Sequence, residues 1–238
     1  MCEGAPPFSP HAALSVIRPL ALVFVALTLP ACLPSRAAAP DLPPSVPYLT
    51  RAEWGARPPA FDMIPQTPTR LTIHHTATHQ KPDADPAATL RGLQSFSQRE
   101  DTLGNGKPKV AWADIPYHYY ITPNGTVAEA RDPEFEGDSN TSYDLSGHVQ
   151  VVLEGNFMEE SPTPAQMRSL LALARSIGQR YGIGPDDVAG HQDRAGAQTL
   201  CPGDALHARL DEVRAVMPRS VSGRRTEAKP RSGDRARL

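Results

Sequence analysis

Gly190-His-Gln-Asp-Arg-Ala-Gly-Ala-Gln-Thr-Leu-Cys201-Pro-Gly-Asp204 is the stretch on which the reading of this chain turns. It sets His191 ten residues before Cys201, across a polar segment that can loop out and bring both side chains to one ion. Gly190 and Gly203 permit close backbone approach, and Cys201-Pro202-Gly203 reads as a rigid turn that opens a helix. Upstream, Arg70–His75 (RLTIHH) is an apolar, β-branched run ending in two histidines. Successive strand residues point to opposite faces, so at most one of His74 and His75 faces a given site. Two imidazoles and a thiolate make a three-ligand set for Zn²⁺ with a fourth position open to water, the composition of a catalytic rather than a structural centre. The competing reading of Cys201 is a buried cysteine acting as a small hydrophobe.

The cysteine count sharpens this. Pro19–Ala31 (PLALVFVALTLPA) follows Arg18 and is shorter than the roughly 20 apolar residues a membrane helix needs, but suits the core of an export signal. It ends in Leu29-Pro30-Ala31-Cys32, which resembles a bacterial lipobox, in which the cysteine is lipidated and becomes the new N-terminus. Residues 1–31 are therefore read as a signal peptide and Cys32 as the lipid anchor of an envelope protein facing the periplasm. Cleavage near Ala37-Ala38-Ala39, giving a secreted protein, is the alternative. Either way Cys2 departs and Cys201 is left as the one thiol of the exported domain. An unpaired thiol in an oxidising compartment points to metal binding or catalysis.

The chain has 238 residues, 39% of them hydrophobic and 21% charged, which fits one soluble domain with unstructured ends. The net charge of −2 names no partner. Residues 219–238 carry seven Lys/Arg against two Asp/Glu and read as a disordered basic tail. With the positive charge confined to that tail and no stacking motif beside it, nucleic-acid binding has no support. Nine prolines lie between Pro34 and Pro68, so 32–47 is read as a Pro-rich tether, followed by a single domain over 48–218, expected to be a monomer. Within Arg51–Pro59 (RAEWGARPP), Trp54 is expected to anchor an arm on the domain surface.

Leu90, Leu93 and Phe96 have helical spacing within 86–100. Residues 117–122 and 126–128 flank Pro123-Asn124-Gly125 as a hairpin, and 149–154 is a further strand. Thr163 and Gln166 form a capping box for a helix with Met167, Leu170, Leu171, Ala174 and Ile177 on its apolar face, stopped at Gly182. A last helix carries Leu206, Leu210, Val213 and Met217. Strands interspersed with helices imply an α/β fold: a mixed central β-sheet flanked by helices, with the zinc site at one face of the sheet. Strand alternation places Tyr117 and Tyr119 on the same face.

Five segments in order, Arg51–Pro59, Leu71–Thr78 (LTIHHTAT), Ile115–Thr122 (IPYHYYIT) with Gly125-Thr126-Val127, Val149–Phe157 (VQVVLEGNF) and Gly190–Asp204, resemble the type 2 zinc-dependent N-acetylmuramoyl-L-alanine amidases. That superfamily includes peptidoglycan recognition proteins and phage amidase-type lysozymes, and the resemblance covers about residues 48–216. It implies His74, the first of the pair, as zinc ligand with His191 and Cys201, and Tyr117 as a catalytic phenol. It also implies hydrolysis of the amide between N-acetylmuramic acid and L-alanine in peptidoglycan. Zinc would activate water and polarise the carbonyl, and Tyr117 would donate to the oxyanion or orient the water. Thr199 is a second candidate catalytic residue. It stands where phage members have a catalytic lysine, and several active recognition proteins resemble this chain in having threonine there. His75, His148 and Asn140 are candidate substrate-binding residues. The loop after Gly137 (Asp-Ser-Asn-Thr) lacks a histidine that many relatives have, and His148 either takes a substrate-side role or sits solvated at a strand end. The rival readings are a non-catalytic peptidoglycan-binding module, whose members typically lack the cysteine ligand, and a zinc-stabilised interaction protein, which would need a fourth protein ligand that is not evident.

Overall fold

Strands β2 (Arg70–His75) and β7 (His148–Leu153) form the middle of the sheet, paired in parallel from Arg70 opposite His148 to His75 opposite Leu153. The computed structural model describes residues 38–104 and 106–219, so the signal segment, Cys32 and the tail from 220 onward lie outside the described residues. The remaining strands are β1 (Tyr48–Leu49), β3 (Asp101–Thr102), β4 (Pro108–Lys109), β5 (Tyr119–Ile121), β6 (Val127–Glu129) and β8 (Val188–Gly190). The helices are α1 (Pro86–Ser97), α2 (Pro164–Tyr181), α3 (Asp204–His207) and α4 (Leu210–Val216). Six strands make one mixed sheet in the order β1-β6-β5-β7-β2-β8, in which only the β5–β6 hairpin pairs antiparallel, while β3 and β4 form a separate small ribbon.

Alternation along the central strands creates two faces. Leu71 and Ile73 of β2, with Val149, Val151 and Leu153 of β7, turn toward α2 and α4 and merge with Leu170, Leu173, Ile177, Leu210 and Val213. Each such side chain, fully buried, contributes about 2 kcal/mol of hydrophobic stabilisation before ordering costs. Thr72 and His74 take the other face, where Val152, Tyr120 and Ala128 pack with Trp54, Ile115 and Leu90 of α1. The face that bears His74 is thus covered only in part by apolar packing, which leaves room for a site.

The caps explain the helix limits. Asp85 accepts the amides of Ala87 and Ala88 ahead of Pro86 at the start of α1. At α2, Thr163 Oγ1 accepts the Gln166 amide and Gln166 Oε1 accepts the Thr163 amide, both at 3.0 Å, and Gly182 closes the helix in the left-handed region at φ 69°. Trp54 is fully buried and its indole N–H donates to Glu129 O at 2.7 Å, fixing the arm as its sequence implied.

Four expectations change. The helix over 86–100 ends at Ser97, where Gln98 turns its amide to Pro58 O and Ala113 O. The last helix is two short ones, α3 and α4, separated at Ala208-Arg209. Tyr117 and Tyr119 do not share a face: Tyr119 joins the α2 side, whereas Tyr117 packs with Tyr120 on the other. The reason is His118, whose Nδ1 accepts the Gln150 amide at 2.8 Å in place of a backbone carbonyl, so regular pleating begins only at Tyr119. The stretch read as the end of a tether is also docked from Asp41 on. The Asp41 amide donates to Ser176 Oγ on α2, and Val46 is buried in the core.

Candidate metal centre and its pocket

His74 ends a strand, His191 follows β8 in a short 3₁₀ turn, and Cys201 precedes α3; the pairing of β2 with β8 brings all three together. One ligand atom from each lies within 4.8 Å of the others, and all three residues are buried. Cys201 Sγ is 3.6 Å from His74 Nδ1. Tetrahedral coordination with ordinary Zn–N and Zn–S bonds sets an N···S edge of about 3.6 Å, so the spacing suits that ion. His191 Nε2 is paired with Thr141 Oγ1 at 2.6 Å, leaving Nδ1 for a metal, and such an outer partner is the usual companion of a ligating imidazole. His74 Nε2 is buried without a hydrogen-bond partner among the described residues.

Electrostatics agree. Burial, then the neighbouring His191, holds His74 well below the ordinary imidazole range, and burial takes His191 to about 4. Both rings are neutral at pH 7, as ligation requires. Burial pushes the Cys201 thiol up to about 12, only partly offset by the His75 amide that donates to Sγ at 3.4 Å. A cation beside it is what would hold the sulfur as thiolate.

A cavity of about 250 Å³ opens over this cluster. Tyr117, Thr199, His75 and Asn140 line it, together with Trp112 and Asp138. The Tyr117 ring lies 5.2 Å from that of His74, its hydroxyl makes no hydrogen bond to a described residue, and burial raises its pKa, so the phenol is a free donor at neutral pH. Thr199 Oγ1 accepts the Cys201 amide at 3.1 Å. His75 turns its ring the other way, toward Phe157, whose amide it accepts on Nδ1 at 3.2 Å. The rim at Asp138 is built on Arg131, buried, which donates to Ile115 O at 2.8 Å, to Asp114 O at 3.0 Å, to Glu136 O and to the Asp138 carboxylate. Burial raises the Asp138 carboxyl, and Arg131 pulls it part of the way back.

His148 is not in this cavity. It lines a neighbouring pocket with Arg70 and Arg194, and it is buried rather than solvated at the strand end, because its Nδ1 is held by Thr72 Oγ1 at 2.7 Å. Sequence reasoning missed Trp112, Thr141, Tyr143 and Arg131. Trp112 carried a weak signal, a tryptophan just ahead of the Ile115–Thr122 segment, while the other three act through loop contacts that no spacing reveals.

The profile of the family described as N-acetylmuramoyl-L-alanine amidase matches residues 65–204, and the chain belongs to that family. Peptidoglycan-recognition protein SD of Drosophila simulans is 31% identical over 70% of this chain and 86% of its own length. The N-acetylmuramoyl-L-alanine amidase of Homo sapiens is 32% identical over 76% of this chain, which spans 32% of the human protein. The crystal structure of Drosophila peptidoglycan recognition protein SD superposes with a TM-score of 0.57 at 30% identity, covering 70% of this chain and 94% of that one. The mixed sheet flanked by helices is the fold of these proteins.

Proposed function

We propose that this protein is a zinc-dependent amidase that cleaves the bond between the lactyl group of N-acetylmuramic acid and L-alanine in bacterial peptidoglycan. The observation that carries the proposal is the convergence of His74, His191 and Cys201, with no fourth His, Cys, Asp or Glu ligand grouped with them among the described residues, beside the unpartnered Tyr117 hydroxyl. Zinc held by these three residues would activate water and polarise the scissile carbonyl. Tyr117 Oη, kept protonated by burial, donates to the oxyanion that develops on the carbonyl oxygen. Thr199 uses its oxygen to receive the Cys201 amide and retains its proton for the substrate. Trp112 supplies an apolar wall, and Asn140 offers amide donors and acceptors to the peptide.

One observation favours a second reading, a recognition module that keeps its metal but does not cut: among the described residues no lysine or arginine lines the cavity, and Thr199 stands at the phage lysine's place. Digestion of purified peptidoglycan with and without a chelator, read by mass spectrometry, separates the two. Stem peptides with a free L-alanine amine, absent after chelation and with Cys201→Ser, support the amidase. A protein that binds wall and releases nothing supports the module. The same reading places the protein in the envelope as a monomer, lipid-anchored through Cys32; mass spectrometry of the mature N-terminus without a lipid on that residue would remove the anchor.

A further inference from the structure

The pocket beside the metal site, about 270 Å³, sits on the His74 face of the sheet at the opposite end of β2 and β7. Tyr143 separates the two cavities: its ring lies 4.9 Å from His191 on one side and 5.5 Å from His148 on the other. What sets this pocket apart is a pair of guanidinium groups beside two carboxylates, Asp144 and Asp193, with which neither forms an ion pair. Arg194 is partly buried, and all its hydrogen bonds go to neutral acceptors: Thr72 Oγ1 at 3.0 Å, Leu71 O at 2.8 Å and Asp187 O at 3.2 Å. The Arg70 guanidinium donates only to Ser146 O among the described residues, at 3.3 Å. Neither arginine forms an ion pair among the described residues; Arg70 is exposed, but the partly buried Arg194 would ordinarily be paired. Burial and the charge of Arg70 act against the charge on Arg194, while Tyr143, Asp193 and Asp187 favour it.

His148 adds a polar edge to the pocket. Arg194 Nε can only donate, so Thr72 Oγ1 accepts it; the hydroxyl keeps its proton and a second lone pair, and can either donate to His148 Nδ1 or receive from it. With the Thr72 proton given to Nδ1, His148 presents an Nε2–H that no described residue takes up. Two carboxylates border the pocket. Asp193 is committed to His207 at 2.9 Å and to the Gly190 amide, and Asp144 receives the Ser146 amide. They limit the pocket to a ligand of low charge.

We infer that Arg70, Arg194 and His148 form a subsite for a monoanionic oxyanion, a carboxylate or a phosphodiester, carried by the molecule whose amide reaches the metal site. The inference rests on the amidase reading for the identity of that molecule, but not for the existence of the subsite. Two arguments favour a substrate group over a free ion: Tyr143, which lines the pocket, packs against His191 of the metal site, and both sites lie on one face of the sheet. Charge-assisted hydrogen bonds from two guanidinium groups supply the affinity.

The test uses the zinc-loaded protein and two probes, acetate and dimethyl phosphate, titrated while the Arg Nε–H and His148 ring signals are followed by NMR. Saturable shifts at Arg194 and His148 are expected. They should weaken about tenfold in Arg70→Gln, whose side chain is exposed and braces only one carbonyl. The source is read with muramyl peptides whose carboxylates are free or amidated, and with wall stripped of phosphodiester polymers. If the ligand is a peptide carboxylate, amidation raises KM or Kd about tenfold in the parent protein and leaves Arg70→Gln unmoved. If it is a phosphodiester, only the stripped wall binds more weakly. A chain that cuts nothing but still shows the probe shifts and the wall-binding difference overturns the amidase reading alone. Absence of probe shifts, with the protein folded and zinc-loaded, overturns the subsite.

Discussion

Lys109→Met tests how the wall of the cavity over the metal cluster is held. Lys109 is 2% exposed, and its ammonium donates to Ser97 O, Arg99 O and Val110 O, each at 2.9 Å. It also lies 4.4 Å from the Trp112 ring centre and 5.1 Å from that of Phe96. One cation therefore ties the end of α1 and the β3–β4 ribbon to the tryptophan that lines the cavity. Methionine matches the stem in length and apolar character, so the change isolates the charge. Ser97 O keeps the Trp112 amide as a donor, but Arg99 O and Val110 O lose the ammonium. Each unpaired carbonyl costs about 1 kcal/mol and the lost ring contacts a similar amount. The expected destabilisation is about 3 kcal/mol, reduced somewhat because the ammonium no longer has to be desolvated. Urea unfolding followed by tryptophan fluorescence measures it, and KM for a muramyl peptide should rise as Trp112 loosens while kcat changes little. A loss below about 1 kcal/mol with KM unchanged would refute the reasoning, since the ammonium would then be a passive passenger of the fold.

Thr141→Val removes the hydroxyl that holds His191 Nε2, and zinc affinity measured against a competing chelator should fall about 10–100-fold with the fold intact. Gly137→Ala places a methyl carbon 1.9 Å from Gln150 Nε2 and 2.5 Å from Pro116 O; the rim must shift, and a stability loss of about 1–3 kcal/mol is expected in thermal unfolding. His118 is buried, donates from Nε2 to Phe135 O, accepts the Gln150 amide, and is held at about 3 against 6.5 when unfolded. Because the folded value is the lower one, this stability is complete above pH 6.5 and is lost as pH falls toward 3. At pH 4.5 the deficit is about 2–3 kcal/mol relative to pH 7.5. Denaturant titrations of the parent and His118→Gln at both pH values check it, and an identical pH slope for the two would contradict it.

Much of this was legible from particular residues. The His–His pair at the end of a β-branched strand and the His191-x9-Cys201 loop pointed to one metal centre, because strand alternation and a polar loop leave few other places for them. The Thr163 capping box and Gly182 delimited α2 by local chemistry alone. What escaped depended on distant partners. The rim after Gly137 is shaped by Arg131 reaching the carbonyls of Ile115, Asp114 and Glu136 and by the close approach to Gln150, none of which has a local signature. The alternation expected for Tyr117 failed because a side chain, His118, replaced a backbone group in the ladder. The two-residue strands carry no periodicity of their own: β1 exists through pairing with the remote β6, and β3 and β4 only through pairing with each other.

The most direct measurement of the central claim is a zinc titration of the metal-free protein while new L-alanine amines released from peptidoglycan are counted. The account requires activity to rise linearly and level off at about one equivalent, with Cys201→Ser failing to recover. Tyr117→Phe should bind zinc equally but release product about 10²–10³ times more slowly. A parent protein that takes up one zinc, binds the wall and releases no L-alanine amine at any loading would contradict the amidase and leave a recognition module in its place.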